Sequence, residues 1–150
     1  MYIFEHDPFM KPLFAGISFA DLPPTIKSFP AISIINTDCS TCPGEHWCAV
    51  YYSKHGKCEF FDPLGLPPKN ALYDLSRNIR TYCKTIDQSS FQVQPETSST
   101  CGHHCILFSF YRSRGYSKQF IEKYIYSPRD LVSNDIKAIN IVKKFGIPFP

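Results

Sequence analysis

The chain has 150 residues, 43% of them apolar and 15% aromatic, with a formal net charge of +3. That is enough apolar chain for one globular core, which excludes a disordered tail or a fibrous repeat, and the charge tolerates nucleic acid without requiring it. No apolar run approaches the ~18 residues of a membrane span, and Met1–Pro12, with Glu5, Asp7 and two prolines, is no secretory leader, so the seven cysteines are expected as mostly free thiols in a reducing compartment.

Residues 1–20 are aromatic without clear periodicity and are expected as an extended, partly packed arm. Asp21 is a good N-cap, and Pro23 and Pro24 suit a first turn, so a short helix to about Phe29 is predicted. Ala31–Asn36 reads as a buried strand. Thr37–Glu45 is a loop containing Cys39, Cys42, Pro43 and Gly44. His46–Tyr52 and Cys58–Asp62 read as the two strands of a hairpin around the turn 53–57, closed by Pro63. With the turn centred near residue 54 or 55, His46 falls opposite 62–64. His46 and Asp62 then share one end of the hairpin, at a spacing that permits an imidazole–carboxylate hydrogen bond. Leu64–Pro68 is a loop, and Lys69–Lys84 an amphipathic helix with Leu72, Leu75, Ile79 and Tyr82/Cys83 on one face. Ser90–Gln94 is a short strand that delivers Gln94. A buried helix starts at Cys101 and stops at Gly115. Ser117 caps a helix to about Tyr126, and Ser133/Asn134 cap a last helix ended by Gly146. The pattern is α+β, a small antiparallel or mixed sheet flanked by helices, in a single domain over 1–150.

Cys101 is the residue with most chemistry on offer. In the first turn of a helix its thiolate is stabilised by unpaired backbone N–H groups and the positive end of the dipole. The N–H groups of Cys101 and Gly102, with the amide of Gln94, can point at a substrate oxygen. His46 can serve as general base, and Asp62 can fix its tautomer. Each of these has a plainer reading. A cysteine at a helix start is most often packing, Asp62 before Pro63 can be a turn former, and Gln94 can be an ordinary strand residue. The four gain weight as a set. Cys39-x-x-Cys42 invites zinc, with His103, His104 or Cys105 as further ligands, but a second Cys-x-x-Cys is missing and loop thiols are the plainer reading. His55, His103 and His104 read as surface or turn residues, and Cys83 as a core cysteine on a helix face.

These residues resemble the adenovirus endopeptidase (adenain) family of cysteine proteases, in a viral or transposon-encoded form. Ile35-Asn36-Thr37, then Gly44, His46 and Trp47, is similar to the segment leading into that family's catalytic His-Trp. Phe60-Phe61-Asp62-Pro63-Leu64-Gly65-Leu66 resembles its Phe-Glu-Pro-Phe-Gly-Phe, with Asp62 where many members have Glu. Val93-Gln94 through Cys101-Gly102 resembles its Val-Gln…Cys-Gly stretch, and Asn134–Phe149 its last helix and aromatic-Pro ending. The resemblance runs from about Phe14 to Pro150. It implies a papain-like fold of the adenain/ubiquitin-like-protease type and a thiol endopeptidase that matures viral precursors by cutting near Gly-Gly or Gly-Xaa. In it His46, Asp62, Gln94 and Cys101 are the catalytic residues, and no metal is bound. It also implies an activating viral peptide joined by a disulfide to Cys83, weak DNA binding as a cofactor effect, and a monomer in the virion and the host nucleus or cytoplasm. The chain departs from the family in being shorter, mostly after the Cys101 helix, and in carrying Cys39, Cys42 and Cys48. Deconjugases of ubiquitin-like proteins share the His–Asp–Gln–Cys order and are the nearest alternative. A catalytically silent or zinc-stabilised interaction module is the alternative of a different class.

Overall fold

The computed structural model describes residues 2–69 and 74–146. Five strands form one mixed sheet in chain order: β1 (Phe14–Phe19), β2 (Ala31–Asn36), β3 (Trp47–Tyr52), β4 (Lys57–Phe61) and β5 (Thr85–Gln88). The outer pairings, β1–β2 and β4–β5, are parallel, while β2–β3 and β3–β4 are antiparallel. Around the sheet lie α1 (Tyr2–His6), α2 (Leu75–Ile79), α3 (Cys101–Ser113), α4 (Lys118–Phe120), which runs into a π-helical turn (Ile121–Ile125), and α5 (Leu131–Lys143). No helix among the described residues is long and apolar enough to cross a membrane.

Strand side chains alternate between faces, and both faces here are covered. Ile34, Ala49 and Phe61 pack with Leu107 and Phe108 of α3 and Ile141 of α5. Ile35, Cys48, Val50 and Phe60 point the other way, onto Leu75 and Ile79 of α2. All six residues of β2 are therefore buried, so its apolar residues fall on both faces rather than alternating with exposed polar ones. Phe61 and Phe108 stack at 4.7 Å between centroids, and burying such a ring is worth about 1.5–3 kcal/mol. Arg112 at the end of α3 adds a directional tie. Its Nε donates to Glu59 of β4 at 2.7 Å, and its guanidinium lies 3.8 Å over the Tyr51 ring.

The hairpin and the buried helix lie where the sequence puts them, and Ser117 caps as expected by accepting the Phe120 N–H. Other expectations need correction. Residues 1–20 are not an extended arm: they hold α1, a 3₁₀ turn (Lys11–Leu13) and β1. Asp7 on this segment pairs with Arg114 at 2.7 Å. The helix expected over 22–29 is absent. The prolines hold the preceding residues extended, and Asp21 spends its carboxylate on the Ser40 N–H (2.7 Å) and hydroxyl (3.0 Å) instead of capping. The helix expected over 69–84 is reduced to Leu75–Ile79, with residues 70–73, including Leu72, outside the described residues. The chain leaves the helix early so that Lys84 N–H can reach the Gly56 carbonyl and β5 can begin. Residues 90–94 form no strand, because Ser90 binds Glu122 and the Val93 and Gln94 N–H groups turn to the Pro63 carbonyl. The last helix starts at Leu131 under an Asp130 cap, not at Ser133/Asn134, and its aromatic-Pro ending lies outside the described residues.

Four of the seven cysteines are paired, Cys39 with Cys42 and Cys58 with Cys83, which corrects the expectation of mostly free thiols. The parallel pairing of Cys58 with Ile86 brings the residues just before β5 alongside β4. Alkylation in denaturant without reductant should therefore label Cys48, Cys101 and Cys105 only, as read by peptide mass mapping. Labelling of Cys58 or Cys83 would show that pair open.

Candidate active site

The site is assembled from the start of β3, the end of β4, the start of α3 and the irregular segment before it. Ala49 pairs with Phe61 across the hairpin, so His46 and Asp62, just beyond the two strands, come together. His46 Nε2 lies 2.9 Å from Asp62 Oδ1. The Asp62 carboxylate is 2% exposed as a residue and held from several sides. Its Oδ1 also accepts the Leu64 N–H at 2.7 Å, and Oδ2 accepts the Cys48 S–H at 3.3 Å. The Asp62 N–H donates to Ser89 Oγ at 2.8 Å. Cys48 is the contributor that sequence reasoning missed. The available signal was its spacing from His46, two residues along a strand and so on the same face.

The other ring nitrogen of His46 is left for Cys101, which is close enough for the imidazole and the thiol to shift each other's titration. Burial pulls the His46 pKa down, but hydrogen bonds to Asp62 and Cys101 and the charges of both outweigh it and push the value up to about 9. Burial alone would raise the Cys101 thiol, but the His46 hydrogen bond, backbone hydrogen bonds from Trp47 and Gly102 and the His46 charge hold it below the usual thiol range. The pair therefore favours thiolate and imidazolium together. Cys48 and Cys105 behave oppositely: both are fully buried, and desolvation pushes their thiols up. Cys105 donates to the Trp47 carbonyl at 3.3 Å and so stitches α3 to β3 one turn below Cys101.

Gln94 reaches the same place by a different route. Val93 N–H and Gln94 N–H both donate to the Pro63 carbonyl, at 2.8 and 3.0 Å, so the residue after Asp62 docks the Gln94 segment. Gly65 makes that docking possible. At φ +71° a Cβ on it would sit 2.8 Å from the Gln92 nitrogen and 2.9 Å from the Phe91 carbonyl carbon. Gln94 is 3% exposed, its Nε2 donates to the Ser98 carbonyl at 2.7 Å, and its buried Oε1 has no hydrogen-bond partner among the described residues. With Glu45, Leu64, Ser98 and His103 these residues line a cavity of about 540 Å³ that contains His46 and Cys101.

Other sequence expectations fare differently. His104 is not a surface residue. It is fully buried, with Nε2 2.8 Å from Asp135 Oδ1 and Nδ1 3.1 Å from the Tyr126 hydroxyl. The zinc reading loses its ligands. The Cys39 and Cys42 sulfurs are bonded to each other beside Asp38, and His104 and Cys105 are committed elsewhere. Cys83 is 6% exposed and bonded to Cys58, so in this state it presents no free thiol to a peptide.

The family model described as adenovirus endoprotease matches residues 14–137, which includes every residue of this site. The chain belongs to the adenovirus endoprotease family. The protease of Bovine adenovirus C serotype 10 is 30% identical over 110 residues, covering 65% of this chain and 56% of that protein. The protease of Human adenovirus B serotype 3 is 30% identical over 90 residues, covering 52% and 43%. This member of the family thus spans about half the length of the curated relatives it matches. Among solved structures, the ASFV pS273R protease superposes with a TM-score of 0.55 at 12% identity, covering 86% of this chain and 60% of that one. The five-stranded α+β fold is shared at a level where the sequences have diverged.

Two substitutions test the geometry. Gly65→Ala combines a disfavoured positive φ with a backbone collision and should lower stability by about 2 kcal/mol or more, read by denaturant unfolding. Iodoacetamide at pH 6 should label Cys101 fast in the native protein and leave Cys48 and Cys105 untouched, and His46→Ala should abolish the fast labelling. A Cys101 rate that follows an ordinary thiol, with pKa near ~8.5, would show that the ion pair does not form.

Proposed function

We propose that this chain is a thiol endopeptidase of viral precursor polypeptides, cutting near Gly-Gly or Gly-Xaa. The observation that carries the reading is a single imidazole hydrogen-bonded to a buried, fully held carboxylate and coupled electrostatically to a cysteine at the N-terminus of a buried helix, the two lining one cavity. The Cys101 thiolate attacks the scissile carbonyl carbon. The π pair moves to the carbonyl oxygen, where the N–H at the start of α3 and the remaining N–H of the Gln94 amide can donate to it. The His46 imidazolium then protonates the leaving amine as the C–N bond breaks, giving a thioester. Neutral His46 next takes a proton from water, whose oxygen displaces Cys101. Asp62 keeps the imidazole oriented throughout and favours its charged form. The relatives described as proteases, and a cavity open to His46 and Cys101 together, support the same chemistry.

Cleavage of Gly-Gly-containing peptides should vanish in Cys101→Ala and His46→Ala, while Asp62→Asn should lower kcat by up to about 10⁴-fold. Retained cleavage in Cys101→Ala would end the proposal. The pH profile has a definite sign. His46 is charged below about 9, so activity should fall as pH rises through about 9 and the acid for the leaving amine is lost. It should also fall on the acid side once Cys101, whose pKa is lowered, is protonated.

The family reading extends to an activating peptide, DNA and a virion or infected-cell setting. A peptide thiolate could join Cys83 only by attacking its sulfur and expelling the Cys58 thiolate, so activation by such a peptide should leave Cys58 newly alkylatable. A DNA effect should weaken steeply with salt.

A further inference from the structure

The Gln94 segment is held from a distance by two consecutive residues of α5. Asn134 is fully buried, and its Nδ2 donates to the Val93 carbonyl at 3.1 Å and to the Ser127 carbonyl at 2.7 Å. Its Oδ1 accepts the Ser127 N–H at 2.9 Å, so every polar atom of the side chain is used and the amide cannot swing away. The neighbouring Asp135 reaches the other end of the segment. Its Oδ1 accepts from Thr100 Oγ1 and from His104 Nε2, each at 2.8 Å.

The direction of the hydrogens is fixed at the Asp135 end of this chain. A carboxylate only accepts, so the single Thr100 hydroxyl hydrogen goes to Asp135, and Thr100 Oγ1 is left as acceptor for the Ser98 hydroxyl at 3.0 Å, whose one hydrogen is shared with the Pro95 carbonyl at 3.2 Å. Ser98 in turn offers its carbonyl to the Gln94 amide at 2.7 Å. His104 lies on the first turn of α3, three residues from Cys101. Burial lowers its pKa despite the neighbouring Asp135 and so favours the neutral ring, whose partners fit Nε2–H donating to Asp135 and Nδ1 accepting from Tyr126.

We propose that Asn134 and Asp135 are positioning residues that fix the segment 93–100, and with it the Gln94 amide, over the start of α3, Asp135 acting through Thr100 and Ser98. This rests on the reading of the site as a thiol protease in which Gln94 faces the developing oxyanion. It assigns to α5 a part in the chemistry although it contributes no group to the cavity.

The test separates oxyanion stabilisation from thiolate formation by using two electrophiles. Iodoacetamide is displaced at a saturated carbon and develops no oxyanion. A peptide aldehyde ending in Gly-glycinal takes the Cys101 sulfur on its carbonyl carbon, moves the π pair to oxygen and accepts the His46 proton, forming a hemithioacetal that uses the oxyanion donors. Thr100→Val is the cleanest variant, because the Thr100 hydroxyl takes no part in capping α3. Thr100→Val and Asp135→Ala should weaken aldehyde binding about tenfold or more, as Gln94→Ala should, while the iodoacetamide rate at Cys101 at pH 6 stays within about twofold. Asp135→Asn keeps an acceptor oxygen in place and should restore aldehyde binding.

Aldehyde binding unchanged in Thr100→Val and Asp135→Ala overturns the proposal, even if both variants melt at a lower temperature. A parallel fall in both reactions also overturns it, since the effect would then run through the ion pair or the fold. Failure of the proposed function would look different: the wild-type chain itself would lack fast alkylation of Cys101 at pH 6.

Discussion

An imidazole set between a carboxylate and a thiol is demanding, because three pieces of backbone must agree in position to within a fraction of an ångström. His46 directly precedes β3, Asp62 follows β4 and Cys101 begins α3. The hairpin register sets the first two. A slip of one residue would turn Asp62 to the opposite face and leave a buried carboxylate unpaired. The third is set by packing α3 onto the sheet, through the Phe61–Phe108 stack, the Cys105 thiol on the Trp47 carbonyl and the Arg112–Glu59 pair at the far end of the helix. These contacts differ in kind, and together they leave α3 little freedom to slide, tilt or rotate.

The chain holds two buried histidine–aspartate pairs whose titrations are driven in opposite directions. His46 has Asp62 on one side and the Cys101 thiol on the other, and the two overcome the penalty of burial. His104 is wholly enclosed, has one carboxylate, and gives its second nitrogen to a neutral hydroxyl, so burial wins. The same residue types at nearly the same separation, 2.9 and 2.8 Å, thus give a proton store in one place and a fixed neutral strut in the other. Pairing alone does not set the charge state; what lies on the far side of the ring decides it.

What could be read from the sequence was what local chemistry determines. The hairpin, the helix from Cys101 to its glycine stop and the Ser117 cap rest on residues close together in the chain, and the hairpin count already placed His46 beside Asp62. The misses were made elsewhere in the molecule. β1 is an edge strand of weak alternation, with Ile17 43% exposed, and becomes a strand only through its parallel partner β2. Asp21 looked like a helix cap because the donor it accepts from, Ser40, is 19 residues away. His104 looked exposed because Asp135 and Tyr126, which enclose it, lie 31 and 22 residues further on. In each case a distant partner took a group that local propensity had assigned to a nearer one.

The bond between Cys58 and Cys83 closes a sequence separation of 25 residues. By the usual chain-entropy relation such a ring removes on the order of 3.5 kcal/mol of conformational freedom from the unfolded chain. That is a sizeable share of the ~5–15 kcal/mol by which domains are stable at all. The ring contains α2, whose Leu75 and Ile79 cover the face of the sheet opposite α3. The lifetime of the folded chain is therefore tied to the thiol–disulfide balance around it, while Cys101 on the opposite side must stay reduced to serve as the proposed nucleophile. The two faces of one sheet thus place opposite demands on the same redox environment, and the fold meets them by putting its thiols in different company.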